Sequence, residues 1–171
     1  MMKSNRLKEE FYLQPATETA PLLLGKLLCR NIDGRILKYR ITETEAYYGT
    51  SDTACHAHKG RTNRTEIMFG NGGFAYIYLC YGIHYLLNVV TGNVDSPEAV
   101  LIRGVEGYNG PGKLTKALQI DKNLACENFV LSNRLWIEDD GYKPKYKTTP
   151  RIGINYASEK YRDILWRFVV E

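Results

Sequence analysis

Phe74-Ala75-Tyr76-Ile77-Tyr78-Leu79-Cys80-Tyr81-Gly82-Ile83-His84-Tyr85-Leu86-Leu87-Asn88 is the stretch on which the fold turns. Aromatic and branched apolar residues fill both halves, and Tyr81-Gly82 interrupts them where a chain reversal fits. Residues 74–80 and 83–91 therefore read as two β-strands joined in a hairpin. Side chains alternate along a strand, which puts Tyr76, Tyr78 and Cys80 on one face. Tyr81 falls at the tip, where a large ring is hard to bury. It can pack back onto the sheet or stand free, and the sequence leaves both readings open.

Working outward, residues 99–105 form another apolar strand, interrupted by Arg103. Residues 26–32 and 35–46 read as strands joined by Asp33-Gly34, a dipeptide that takes the positive φ angles of a two-residue turn at low cost. Residues 134–138, 151–154 and 164–169 add three more strands. The helices are short: 18–24 with Thr17 as N-cap and Gly25 past its end, one turn near 66–69, and 113–120 after Gly110-Pro111-Gly112. Strands rarely alternate with long helices, which argues against a doubly wound parallel fold. The expectation is an α+β fold, a single compact domain over residues 1–171, with a curved, largely antiparallel β-sheet, short flanking helices and a protruding β-hairpin.

The bulk numbers narrow the class. With 171 residues, 44% hydrophobic and 25% charged, the chain has an ordinary globular balance, which excludes extensive disorder. No apolar run approaches a membrane span, and the N-terminal Met-Met-Lys-Ser-Asn-Arg leads into no signal-peptide core, so a cytoplasmic protein is expected. The net charge of +4 is mild. His56, His58, Lys59, Arg61 and Arg64 form one basic cluster, and Lys143, Lys145, Lys147 and Arg151 form another. Either cluster suits a solvated face or an anionic partner. Four cysteines form no C-x-x-C pair and read as reduced thiols, three of them in apolar stretches that look like core.

Three further constellations carry chemistry. On the strand through Ile41-Thr42-Glu43-Thr44-Glu45-Ala46-Tyr47, the side chains of Glu43, Glu45 and Tyr47 point the same way. A carboxylate beside an aromatic face can place a base next to a planar ligand, although an exposed, salt-bridged strand has the same pattern. In Asp52-Thr53-Ala54-Cys55-His56-Ala57-His58, the His-x-His pair with Asp52 could ligate a divalent metal. The chain has only three histidines and no separate Cys/His cluster, so hydrogen bonding of a ligand by His56 is the better reading. Arg103 needs a partner within its apolar strand: a structural ion pair, or a carboxylate, water or phosphate that it orients.

Taken in order, these elements closely resemble the alkyladenine (3-methyladenine) DNA glycosylase family. The matching residues are Leu23-Leu24-Gly25-Lys26, Glu43-Thr44-Glu45-Ala46-Tyr47, Asp52 with Ala54 and His56, and Asn63-Arg64 through Met68-Phe69-Gly70. Tyr76-Ile77-Tyr78, Tyr81-Gly82, Asn88, residues 99–103, Gly110-Pro111-Gly112-Lys113-Leu114 and Arg151-Ile152-Gly153-Ile154 continue the likeness over most of the chain. The resemblance implies a monofunctional glycosylase of base excision repair. Such an enzyme flips an alkylated or deaminated purine, such as 3-methyladenine or hypoxanthine, out of the duplex and hydrolyses its N-glycosidic bond.

By matching position, the resemblance implies that Glu45 deprotonates the attacking water and that Arg103 orients both. Tyr47, His56 and Tyr78 would line the base pocket, Asn88 would crowd a purine 2-amino group, and Tyr81 would intercalate through the minor groove. Arg61, Arg64 and Lys113 are candidates for DNA backbone contacts. No metal, redox cofactor or Schiff-base lysine is implied. The expected partner is double-stranded DNA containing damaged purines, bound by a monomer with no membrane association, nucleoid-associated if the source is bacterial. The chain departs from many relatives in having Gly107 after Glu106, and only Gly107-Tyr108-Asn109 before the Gly-Pro-Gly turn. Two alternatives remain from the residues alone: a module that binds distorted DNA without cleaving it, and a metal-dependent hydrolase built on Asp52, His56 and His58.

Overall fold

The computed structural model describes residues 4–171; of the N-terminal Met-Met-Lys-Ser-Asn-Arg, the first three residues lie outside the described ones. Helices α1 (Glu9–Tyr12) and α2 (Ala16–Leu23) lead into a hairpin of β1 (Leu27–Ile32) and β2 (Arg35–Tyr48). Its Asp33-Gly34 turn has both residues at positive φ, 50° and 87°. Two 3₁₀ turns, His56–Lys59 and Glu66–Phe69, precede β3 (Ala75–Cys80), β4 (His84–Thr91), β5 (Glu98–Val105) and the short β6 (Tyr108–Asn109). Helix α3 (Pro111–Ala117), β7 (Leu135–Glu138), β8 (Tyr146–Thr149), α4 (Glu159–Asp163) and β9 (Arg167–Val170) follow.

Every ladder joining these strands is antiparallel, in the order β3-β4-β5-β2-β1-β7, with β9 and then β8 added at β2. Strand β2 is long enough to change partners. Its residues 35–40 pair with β1, while its second half pairs with β5 on one edge and β9 on the other. Around it the sheet curls into a half-barrel, the α+β architecture expected from the sequence.

Strand alternation then separates two faces. Ala46, Val100, Ile102 and Phe168 join Ala16, Ala20 and Leu23 of α2 and Leu114 of α3 in the main core, where Thr44 Oγ1 donates to Ala20 O at 2.8 Å. Glu43, Glu45, Tyr47, Leu101 and Arg103 occupy the opposite face.

Four expectations need correction. Helix α2 begins at Ala16 rather than 18, and Thr17 lies inside it instead of capping it. The cap comes from far away: Glu98 Oε1 accepts the Ala16 N–H at 2.9 Å, a tertiary contact with no local signature. Helix α3 starts at Pro111, whose fixed φ suits a first helical position, and ends at Ala117 before Gln119 takes a φ of 49°. Residues 151–154 are not a strand. Gly153 at φ 75° and the inward turn of Arg151 remove them from any ladder. Of the cysteines, Cys29 and Cys55 are buried, Cys80 is half-buried and Cys126 is exposed; all four are free thiols.

Gly72 shows how tightly the helical cap meets the sheet. A Cβ there would stand 2.1 Å from Tyr12 O and 2.9 Å from Thr91 Cα, both backbone atoms. Gly72→Ala is expected to destabilise the protein by about 1–3 kcal/mol through overpacking, as read from the urea midpoint. An unchanged midpoint would mean that α1 is free to move off the sheet.

Candidate active site

One row of directly opposed residues crosses six strands: Tyr76 (β3), Asn88 (β4), Leu101 (β5), Glu45 (β2), Arg167 (β9) and Thr149 (β8). Opposed residues in an antiparallel ladder project to the same side, so the register alone puts these side chains on one face. Tyr47 and Glu43 flank Glu45 along β2 on that face, and Arg103 lies two residues from Leu101 along β5.

Glu45 is fully buried. Its Oε2 accepts the Tyr47 hydroxyl at 2.7 Å, its Oε1 accepts the Ile152 amide at 2.8 Å, and Arg103 Nε stands 3.5 Å from Oε1. Burial pushes its pKa above the ordinary carboxylate value; Arg103, the Ile152 amide, the Tyr47 hydroxyl and Arg151 pull the other way without overcoming it. Arg103 Nε is closer to Glu43, at 2.9 Å from Oε1, and Arg167 Nε meets the same oxygen at 2.6 Å.

Beside Glu45 lies a narrow recess of ≈ 40 Å³ walled by Tyr47, Tyr76, Tyr78, His56, Asn88 and Tyr156. It shares Tyr47, His56, Tyr78 and Tyr156 with a wider cleft of ≈ 650 Å³. That cleft also reaches Tyr81, Leu101, Arg103, Gly110 to Lys113, and Ile152. It touches the three groups that bind Glu45 (Tyr47, Arg103 and Ile152) rather than Glu45 itself.

His56 Nδ1 lies 2.8 Å from the Tyr76 hydroxyl, and its ring meets Tyr78 edge-on at 4.6 Å between centroids. Burial, with Arg64 and Lys59 nearby, lowers its pKa to about 4, so the ring is neutral at physiological pH. Asn88 is buried and donates its side-chain amide to Tyr76 O at 3.2 Å. Tyr81 stands on the hairpin tip at 89% exposure with φ 51°, followed by Gly82 at φ 64°. A tyrosine in left-handed backbone is uncommon and holds the ring away from the sheet.

Sequence reasoning missed the support behind this site. Asp52 and Arg151 form a buried bidentate pair, with Nη1 2.6 Å from Oδ2 and Nη2 2.9 Å from Oδ1. Asp52 also accepts the Tyr48 and Ala54 amides at 3.0 Å each. The Arg151 guanidinium lies 4.8 Å from the centre of the Tyr47 ring and reaches Ala46 O and Tyr161 O. The next residue, Ile152, supplies the amide to Glu45. Further along, Thr53 and Ser158 share hydrogen bonds, and the Tyr156 hydroxyl donates to Ala54 O at 3.0 Å. Residues 151–158 are thus fastened to residues 52–54. The Asp52 carboxylate is fully engaged, and His58 Nδ1 meets Thr50 O at 2.7 Å, so the residues of the metal reading do not converge.

The three backbone-contact candidates separate. Arg64 and Lys113 border the cleft, Arg64 with its guanidinium 5.0 Å from the centre of the Tyr78 ring. Arg61 is bound to Glu66 and Asp95 at 2.7 and 2.6 Å and lies over Phe69 instead.

Asp52→Asn and Arg151→Met each leave a buried polar partner unmatched and are expected to cost about 3–5 kcal/mol. The double variant is expected to cost less than the sum of the two, which a double-mutant cycle in urea measures. Strict additivity would mean that the two side chains do not act as a unit.

The comparisons with known proteins meet this geometry over nearly the whole chain. A profile of the methylpurine-DNA glycosylase (MPG) family matches residues 10–171. A relative from Psychrobacter cryohalolentis is 44% identical, covering 97% of this chain and 92% of its own length. Others from Borrelia garinii subsp. bavariensis, at 44% with 94% of each chain covered, and Natranaerobius thermophilus, at 41% with 96% and 95% covered, share that similarity. All three are provisionally named as 3-methyladenine DNA glycosylases. Recess, buried carboxylate and sequence match together lead to one conclusion: the chain belongs to the methylpurine-DNA glycosylase family.

Proposed function

We propose that this protein is a monofunctional DNA glycosylase that everts an alkylated or deaminated purine from duplex DNA and hydrolyses its N-glycosidic bond. The observation that carries the reading is Glu45: a buried carboxylate of raised pKa, held by two hydrogen-bond donors and the Arg103 guanidinium beside an aromatic recess. The provisional names of the relatives favour 3-methyladenine among the substrates; hypoxanthine extends the reading to a deaminated base.

A carboxylate has about four lone-pair sites; the Tyr47 hydroxyl and the Ile152 amide occupy two of them, and Arg103 stands at ion-pair distance without a hydrogen bond to Glu45. Since Glu45 has no exposed surface, a water reaches it only when Tyr47, Arg103 or Ile152 gives way, and all three line the cleft where the nucleotide enters. Glu45 takes the proton as water attacks C1′, and its negative charge offsets the oxocarbenium character that builds on the sugar. Arg103 orients water and carboxylate. The purine lies between Tyr47 and the His56–Tyr78 wall, with Asn88 at its edge. Methylation at N3 or N7 makes the base cationic, which improves both its stacking on tyrosine and its departure. Tyr81 fills the gap left in the base stack, and Arg64 and Lys113 meet phosphates. No lysine takes part as a nucleophile, so the product is an abasic site with an intact backbone.

Glu45→Gln is expected to lower single-turnover release of base by about 10²-fold or more while lesion binding persists. Equal turnover by the variant would remove Glu45 from its role, and binding without base release by the wild-type protein would favour a passive binding module. Because a base must be ionised to act, wild-type activity should fall as the pH drops through the Glu45 pKa, at a pH above that of an ordinary carboxylate. Tyr81→Ser is expected to shift the flipping equilibrium of a fluorescent base toward the stacked form with the fold intact; an unmoved equilibrium rejects the wedge.

A further inference from the structure

Glu45 belongs to a chain of four alternating charges. Glu43 lies two residues earlier on the same face of β2, with a side chain only 7% exposed. Its Oε1 receives Arg103 Nε at 2.9 Å and Arg167 Nε at 2.6 Å. Arg103 Nε is 3.5 Å from Glu45 Oε1, so two carboxylates compete for one N–H and Glu43 holds it more closely. Arg167 sits directly across the ladder from Glu45 and anchors its own Nη1 on Thr149 Oγ1 at 3.0 Å. In order, the charges run Glu45, Arg103, Glu43, Arg167.

The backbone is shaped around this chain. In the β2–β5 ladder, Thr44 pairs with Ile102 and Glu43 with Gly104, leaving Arg103 as an unopposed extra residue. Bulges of this kind re-aim a side chain and are common beside active sites. Gly104, opposite Glu43, keeps this packing uncrowded: a Cβ there would stand 3.3 Å from Glu43 Cβ and 3.0 Å from Thr42 Oγ1, so a neighbour would have to give by a few tenths of an ångström. A purely structural pair for Arg103 needs one carboxylate and no second arginine. The second arginine offsets the charge that Glu43 would otherwise bring next to Glu45.

We infer that Glu43 and Arg167 are positioning residues for the hydrolysis: Arg167 holds Glu43, and Glu43 draws Arg103 partly off Glu45. The inference rests on the glycosylase reading above. With Arg103 fully on Glu45, the carboxylate is a weaker base and its guanidinium has less freedom to orient water. With Arg103 drawn off further, Glu45 takes up a proton too easily. The groups facing Glu45 are Glu43 and Tyr47 from β2, Arg103 from β5, Arg167 from β9, and the Ile152 amide and Arg151 from the following loop. Asp52 already pairs with Arg151, which leaves Glu43 as the second anion able to redistribute Arg103.

The test compares Glu43→Gln with Arg167→Gln in two measurements: the pH dependence of single-turnover base release from a hypoxanthine duplex, and ¹³C titration of the Glu45 carboxyl in the free protein. Glu43→Gln is expected to move both midpoints down by on the order of one pH unit, because Arg103 then turns to Glu45. Arg167→Gln is expected to move both up, and Arg167→Lys to return them toward wild type. Opposite shifts are the signature, since a variant that merely loosens the sheet lowers the rate without moving a midpoint. Midpoints that stay fixed, or move the same way in both variants, overturn the clamp. If Glu43→Gln fails to fold, Arg167→Gln and Arg167→Lys at the half-exposed flank of the sheet decide the matter by titration alone. Opposite titration shifts in a protein whose wild type releases no base support the clamp and sink the glycosylase reading; base release with unmoved midpoints does the reverse.

Discussion

The buried pair of Asp52 and Arg151 is the constraint on which the site rests. Removing two charges from water costs several kcal/mol each, and their attraction offsets this only when the remaining hydrogen-bonding groups are also met. Here the carboxylate takes both Nη groups and two backbone amides, and the guanidinium also reaches two carbonyls, leaving its buried Nε without a partner among the described residues. Such a pair adds little stability relative to an apolar contact. It specifies geometry instead, by joining two irregular segments that no ladder would hold. One carries His56 toward the recess, and the other presents the Ile152 amide to Glu45. The same guanidinium backs the Tyr47 ring, so the aromatic wall, the carboxylate and the loop share one anchor.

Regular structure supplies what the loops do not. The sheet turns its inward row to the core and its outward row to the cleft, so residues adjacent in sequence do unrelated work. Thr44 and Ala46 pack under α2, while Glu43, Glu45 and Tyr47 build a charged, aromatic surface above it. Holding carboxylates on a stiff central strand limits their freedom, which a site dependent on a few tenths of an ångström requires.

Much of this was legible in the sequence. Alternation along residues 41–47 set Glu43, Glu45 and Tyr47 on one face; Tyr81-Gly82 and Asp33-Gly34 marked their turns; and Arg103 within an apolar strand announced a partner. What stayed hidden is non-local. Glu98 caps a helix 82 residues away. Arg151 looked like the end of a basic run, because nothing near it in sequence names Asp52. Ile152 contributes only its backbone, which every residue type but proline possesses. Arg167 gains its meaning from the β2–β9 register alone. The short β8 was obscured by lysines that read as a solvated segment. Pattern reasoning finds side chains by spacing along one element, and it is blind to carboxylates and amides brought together across several.

The row from Tyr76 to Thr149 spans six strands, and its members are joined by contacts of long sequence separation, 45 with 101 and 45 with 167. Because side chains alternate, a slip of β2 by one position would turn Glu45 inward and expose Thr44 in its place. The chemistry therefore comes into being late, once distant segments have closed in correct alignment, and closing them carries the entropic delay typical of such topologies. A misaligned chain could retain most of its strands and still be catalytically blank. Fidelity of strand alignment, more than stability as such, is what this architecture has to protect.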